Sequence, residues 1–322
     1  MIHLMRIGVA KTLVRESWFP LPISLSLKRS RALGYPPDQA PISCVHCPCR
    51  QTSPLHLEIH MRLITWNINS LRLRLGLLAE VVETLRPDVV CLQETKVPDE
   101  LFPLDAVKAL GFPYVAFKGM KSYNGVAILS KLPLDQVQPH IRCGKDDCRH
   151  LTVNIAGIEL HNLYIPAGGD IPDPDMNDKF AHKLGFLTEL TDWYATNRTP
   201  QTPMILVGDL NIAPLPTDVW SHKQLLSVVS HTPIEVEHLA ALQSSVDWVD
   251  GVRHFVPPEE QLFSWWSYRS PDWSRNDRGR RLDHIWVTPP LKDVLRTTLI
   301  ARECRNWTQP SDHVPVLLEL DL

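Results

Sequence analysis

The chain has 322 residues, 44% hydrophobic and 21% charged, a length and balance that fit one large α/β domain or two smaller ones. Residues 1–60 carry seven Lys/Arg against three Asp/Glu, and the remainder 26 against 33, giving +4 and −7 within a net charge of −3. A net-acidic body excludes blanket nucleic-acid binding by charge but leaves room for a local basic patch, and no apolar run approaches the ~18 residues of a membrane span.

Residues 1–60 show no steady period. They hold seven prolines and the knot SCVHCPCR, which contains three of the chain's seven cysteines, Cys44, Cys47 and Cys49. An odd and mostly scattered cysteine set argues for free thiols in a reducing compartment. Three readings compete for this segment. Its Arg/Ser bias fits an organelle-targeting presequence. Cys44, His46, Cys47 and Cys49 could form a zinc knuckle, but they crowd four ligands into six residues, tighter than usual spacing. The third reading, preferred for the irregular Pro-rich composition, is an extension without a folding role, with Met61 as the functional start.

From Met61 the pattern alternates. RLITWN reads as a strand. A helix follows, with Leu71, Leu75, Leu78, Val82 and Leu85 at helical spacing and Pro87 closing it. DVVCLQE (88–94) reads as a buried strand, and YVAFKG, NGVAILSK, RHLTVNI and IELHNLYIP as further strands. Residues 175–196 are expected to be helical, MILVGD a strand, and 217–242 mixed helix and loop. FSWWSYR, RLDHIWVT, TLIARE and VPVLLELD close the chain as strands. Many strands in mixed order with helices between them predict an α/β fold of two packed sheets with helices outside.

Polar groups recur where these strands end. GDLNIAP places Asp209 and Asn211 at i and i+2, on one face of an extended chain. WNINS supplies Asn67 and Asn69, LQETK supplies Glu94 and Lys96, and NLYIP supplies Tyr164. Asp283 lies just inside RRLDHIW, and Asp312 and His313 precede the last strand. Any one of these fits a turn or a cap. Their joint appearance fits a site, because a sheet holds backbones rigid while leaving the tips free.

WNINSLR, LQETK, YNGVAILSK, LYIP, GDLNIAP, FSWWSYR, RGRRLDHIWVT and SDHVPV stand in the order found in the exonuclease III family of DNA-repair nucleases, which act as apurinic/apyrimidinic (AP) endonucleases. The resemblance runs from about Met61 to the C-terminus. It implies a four-layer α/β/β/α sandwich over 61–322 of the endonuclease–exonuclease–phosphatase type. It also implies a magnesium-dependent phosphodiesterase, with Mn²⁺ as a possible substitute. Glu94 is then the leading metal ligand, with Asn69 nearby through its amide oxygen or a water; Asp209, Asn211, Asp312 and His313 are further candidates. Asp209 would orient and deprotonate the attacking water, with Asn211 steadying it. His313 would face the scissile phosphate, its tautomer fixed by Asp283, although pairing with Asp312 is the plainer alternative. Tyr164, Asn67 and Lys96 would complete the phosphate shell. Relatives often carry an amide where Ala167 stands, so one contact is missing or supplied elsewhere.

Between residues 265 and 281, Trp265, Trp266 and Trp273 interleave with Arg269, Arg275, Arg278, Arg280 and Arg281. Arginine can pair with phosphates, and an aromatic ring can fill the space of a missing base. Trp265 and Trp266 point to opposite faces, so one belongs to the core; the family pattern favours Trp265 for the abasic pocket. Arg280 stands near a duplex-wedging position, where groove insertion is the expected role.

The resemblance therefore implies cleavage 5′ to abasic sites in base excision repair, with 3′–5′ exonuclease and 3′-end trimming. The partner is double-stranded DNA with abasic sites or blocked 3′ ends. A cytoplasmic monomer without membrane association is expected, nucleoid-associated if bacterial. The rivals are a phosphoesterase of the same fold acting on RNA, phosphoinositide or sphingomyelin, and a non-catalytic DNA-binding protein. The Trp/Arg stretch opposes the first, and four catalytic-type residues oppose the second.

Overall fold

The computed structural model describes residues 59–269 and 272–322. Residues 1–58, with Cys44, His46, Cys47, Cys49 and nearly all of the expected extension, lie outside the described residues. The chain runs β1 (His60–Asn67), α1 (Leu75–Leu85), β2 (Val89–Gln93), α2 (Leu104–Ala109), β3 (Tyr114–Lys118), β4 (Val126–Ser130) and β5 (Asp135–Pro139). It continues through β6 (His150–Ile155), β7 (Ile158–Tyr164), α3 (Asp178–Asn197), β8 (Met204–Asp209), α4 (His222–Leu225) and α5 (Pro233–Ser244). The last part is β9 (Val249–Asp250), β10 (Trp265–Trp266), α6 (Trp273–Asn276), β11 (Gly279–Arg280), β12 (Asp283–Val287), β13 (Leu295–Ile300) and β14 (Val316–Asp321).

Two six-stranded sheets form, ordered β13-β14-β1-β2-β4-β3 and β5-β6-β7-β8-β12-β9. The two-residue alternation of each strand sorts its side chains into layers. Met61, Leu63, Val89 and Cys91 of the first sheet share a buried layer with Leu160, Ile205, Val207 and Ile285 of the second. Their neighbours Ile64, Trp66, Val90 and Leu92 point outward onto Leu78, Val81 and Leu85 of α1. Across the molecule, Leu163, Leu206 and Trp286 meet α3 through Phe186, Leu187 and Leu190, and α5 through Leu239 and Leu242. The result is the expected α/β/β/α sandwich.

Several boundaries differ from the sequence pattern. α1 starts at Leu75, after the buried Leu71, and ends at Arg86 in the left-handed region (φ 47) just before Pro87. α3 starts at Asp178 because the Asn177 side chain caps it, accepting from Lys179 N. FSWWSYR is strand only at Trp265–Trp266, a short ribbon with Gly279–Arg280 outside both large sheets. The pattern missed β5 because all five of its residues are exposed, which leaves no apolar period to read. β1 begins at His60, one residue before the expected boundary at Met61.

The outer side of β6 and β7 carries a histidine array. The Arg142 guanidinium can only donate, so His150 Nδ1 (3.3 Å) accepts and His150 Nε2 donates to His161 Nδ1 at 3.0 Å. His161 Nε2 then lies 2.9 Å from Glu159 Oε1. Burial lowers the pKa of His150 and His161, and it pulls His140 and the buried His284 down to about 4. A depressed histidine costs no stability above about 6.5, where both folded and unfolded forms are neutral. Below that value the unfolded chain takes up protons that the folded chain refuses. Asp209 and His313, whose folded pKa values are raised, work in the opposite sense, but they are two groups against six lowered histidines once His182 and His231 are included. Tm should therefore fall by several degrees between pH 6.5 and 5, above the ordinary carboxylate range. A flat thermal-melt profile across that window would refute the assignment.

Candidate active site

The buried layer between the sheets changes character at one end. On the face that carries Met61 and Leu63, β1 continues with Thr65 and Asn67, and β2 ends in Gln93. Because β1 and β2 run parallel with Asn67 opposite Gln93, their polar ends coincide, and Glu94 follows directly. In the second sheet the parallel pair β7–β8 sets Tyr164 beside Asp209. β12 runs antiparallel to β8, so its first residue, Asp283, lies opposite Asp209.

Two carboxylates directly opposite each other are destabilising unless a cation intervenes. His313 supplies it. Its Nδ1 lies 2.8 Å from Asp283 Oδ2, and its Nε2 lies 3.6 Å from Asp209 Oδ2. Burial works against the imidazolium, but the charges of Asp283 and Asp209 outweigh it and push His313 up to about 10. Burial likewise raises Asp209, to about 7, with His313 opposing the rise and Asp283 adding to it. Pairing of His313 with Asp312, the plainer alternative, does not occur. The Asp312 oxygens accept from Asn69 Nδ2 at 2.9 Å and Trp265 Nε1 at 3.0 Å.

The hydrogen bonds continue in both directions. Asn67 Nδ2 donates to Asp209 Oδ2 (2.8 Å) and to Glu94 Oε1 (2.9 Å), and the Tyr164 hydroxyl donates to Glu94 Oε1 (2.7 Å). The expectation that Asn67 contacts phosphate is thereby corrected. It is wholly buried and its amide group is spent tying two carboxylates together across the sheets. At the other end, Ser264 Oγ donates to Asp283 Oδ2 at 2.6 Å and accepts from the backbone N–H groups of Leu282 and Asp283. Sequence reasoning missed Ser264. Its only signal was its place beside the tryptophans in FSWW.

Lys96 Nζ lies 2.6 Å from Glu94 Oε2 and 2.7 Å from Asn69 Oδ1. Burial would raise the Glu94 carboxyl, but the Lys96 charge and hydrogen bonds from Asn67, Lys96 and Tyr164 hold it below the usual range. Two hard oxygens already converging on a cation, with Asp312 bonded to the same Asn69, are the donor chemistry that a divalent ion prefers. Among the described residues a second grouping, Asp209, Asp283 and His313, brings its ligand atoms within 4.8 Å of one another. There, however, His313 Nδ1 is already committed to Asp283.

Asn69, Glu94, Lys96 and Asn211 all adopt positive φ, between 47° and 54°. Such backbone is uncommon outside glycine and clusters at functional sites. Asn211 is held by its own N–H to Asp209 Oδ1 (3.0 Å) and by Nδ2 to Ile165 O (2.9 Å).

Glu94, Tyr164, Asp209, Asn211, Asp312 and His313 line one end of a cavity of about 780 Å³ whose other walls include Trp220, Trp265, Arg269, Trp273, Arg278 and Arg280. Trp266 is buried, whereas Trp265 is only partly buried along the cavity wall. Arg280 does not project as a wedge. Its Nη1 donates to Val229 O (2.9 Å) and Ser230 Oγ (2.7 Å), and its guanidinium lies over the Trp265 ring, so it forms part of the pocket wall. Arg281 is buried and paired with Asp218 and Asp250, which removes it from the set of DNA-facing arginines.

Residues 64–313 match the model of the Endonuclease/Exonuclease/phosphatase family. Exodeoxyribonuclease III of Haemophilus influenzae is 31% identical over 273 residues, covering 80% of this chain and 99% of the relative. An AP endonuclease from Archaeoglobus fulgidus superposes with a TM-score of 0.76 at 30% identity, covering 81% of this chain and 100% of that one. A 3′ phosphatase from Neisseria, bound to a product DNA hairpin, gives a TM-score of 0.74 at 29% identity over 81% of this chain and 100% of that chain. With residues of six of the eight sequence motifs lining one cavity, the chain belongs to the endonuclease/exonuclease/phosphatase family, in its exonuclease III branch.

Proposed function

We propose that this enzyme is a Mg²⁺-dependent phosphodiesterase of base excision repair. It cuts duplex DNA 5′ to abasic sites, leaving a 3′-OH, and trims blocked 3′ ends. The observation that carries this reading is the Asp209–His313–Asp283 arrangement, set beside Glu94 at the floor of a cavity walled by tryptophan and arginine. The relatives named for exonuclease, AP endonuclease and 3′ phosphatase activities support DNA as the substrate.

In this reading Glu94 holds the metal with Asn69 and Asp312. A Mg²⁺ ion held by these residues would neutralise phosphate charge and stabilise the leaving oxygen. Asp209 orients the attacking water and takes its proton, with its raised pKa bringing it near the operating pH. His313, kept charged by Asp283, donates to a phosphoryl oxygen as negative charge builds up. Tyr164 and Asn67 fix the Glu94 carboxylate, while Trp265 and Leu282 offer apolar surface to the abasic sugar.

Cleavage of an abasic-site duplex in Mg²⁺, abolished by EDTA, tests the whole proposal. Intact duplex alongside hydrolysis of an RNA or phospholipid substrate would overturn it. Glu94→Ala should raise the Mg²⁺ needed for half-maximal rate by on the order of 10–100-fold. The variant should still shift abasic DNA in a gel, because the phosphate contacts come from other residues. Wild-type rates at low Mg²⁺ would show that Glu94 is not the ligand.

A further inference from the structure

Behind the pocket lies an ion pair that the chemistry above does not use. Lys183 of α3 and Glu235 of α5 are both fully buried, with Lys183 Nζ 2.5 Å from Glu235 Oε1. Lys183 Nζ also donates to Asn211 O at 2.8 Å and reaches Ala167 O at 3.4 Å. Glu235 Oε2 accepts from Ser230 N (2.9 Å), Thr232 N (3.1 Å) and Thr232 Oγ1 (2.6 Å). Ala167, Asn211 and Ser230 all line the cavity. Gly168 (φ +90) packs so closely on this pair's surroundings that a Cβ there would sit 3.0 Å from Lys183 Cδ and 3.1 Å from Val229 Cγ1.

Part of this is ordinary helix capping, since Thr232 and Glu235 form the capping box of α5. A capping box needs no lysine, however. Burying an ammonium is expensive, and an apolar pair of similar volume is commonly as stable, so stability alone does not account for Lys183. What the lysine adds is a set of bonds to two cavity-lining carbonyls. One belongs to Asn211, whose N–H holds Asp209 Oδ1. The pair's other arm fixes Ser230, whose hydroxyl accepts from Arg280, and Arg280 covers Trp265. Ser230 O in turn accepts from Ala213 N, two residues beyond Asn211.

We infer that Lys183 and Glu235 are positioning residues that hold the Asp209–Asn211 turn and the Val229–Ser230–Arg280 pocket wall in one register. The inference rests on the phosphodiesterase reading above. A displacement of about 1 Å at a reacting group can cost on the order of 10²-fold in rate, so loosening this clamp should be visible in turnover.

The test is Lys183→Met combined with Glu235→Gln, which removes both charges at similar volume, with Glu235→Gln alone as the second variant. Three quantities are measured for each: Tm, the kcat and KM on an abasic duplex in Mg²⁺, and the Kd for that duplex in EDTA by fluorescence anisotropy. The expected result is near-wild-type melting of the double variant, with kcat lower by about 10-fold or more and a weakened Kd. Unchanged kcat, KM and Kd in a folded variant would reduce the pair to scaffold. Failure of both variants to fold would equally overturn the inference, by making the pair a stability element. Absence of cleavage by the wild-type enzyme would defeat the underlying reading instead.

Discussion

Asp283→Asn and His313→Asn should each lower kcat on an abasic duplex by on the order of 10²–10³, the loss typical of one preorganised donor. Their joint effect matters more than either size. Asp283 touches His313 at 2.8 Å and is held in turn by Ser264, so either change removes the same charged donor. The double variant should be little worse than the poorer single one. Losses that multiply, or a silent Asp283→Asn in folded protein, would dissolve the pair as a unit.

Asp209→Asn should have the largest effect, on the order of 10²–10⁴ in kcat, because the acceptor of the water's proton is gone. The rate should also change its pH dependence. The base must lose its proton to work, so the wild-type rate rises with pH through about 7, and that limb should vanish in the variant. Stability should move the other way. Asp209 is a buried charge directly opposite Asp283, and neutralising it relieves that repulsion, so Tm should hold or rise. A large drop in Tm, or turnover close to wild type, would remove Asp209 from the role of base.

The fold was legible wherever burial writes a period into the chain. β1, β2, β7, β8 and β12 read directly because each has a buried face, whereas β5, exposed along its length, left no mark. The site was legible as polar residues interrupting that period at strand ends, and the family motifs fixed their order. Partner choice was harder to read. Whether His313 turned to Asp312 or to Asp283 depended on two long-range pairings, Trp265 with His313 and Asp209 with Asp283, which no local pattern encodes. Asn67 looked like a phosphate ligand because its place between two carboxylates exists only once the sheets have met. Arg280 was read for groove insertion for a similar reason: Val229 and Ser230, which hold it, come 50 or so residues earlier in the chain.

The cross-sheet bond from Asn67 to Asp209 bears on how this enzyme should fail. One partner belongs to each sheet, and both side chains continue the layer that holds the sandwich together. The catalytic floor therefore has no hinge of its own and cannot loosen while the interior stays closed. Amides along the inner strands at this end should exchange with solvent only through near-global opening. In rising urea, activity and tryptophan fluorescence should be lost in a single coincident transition.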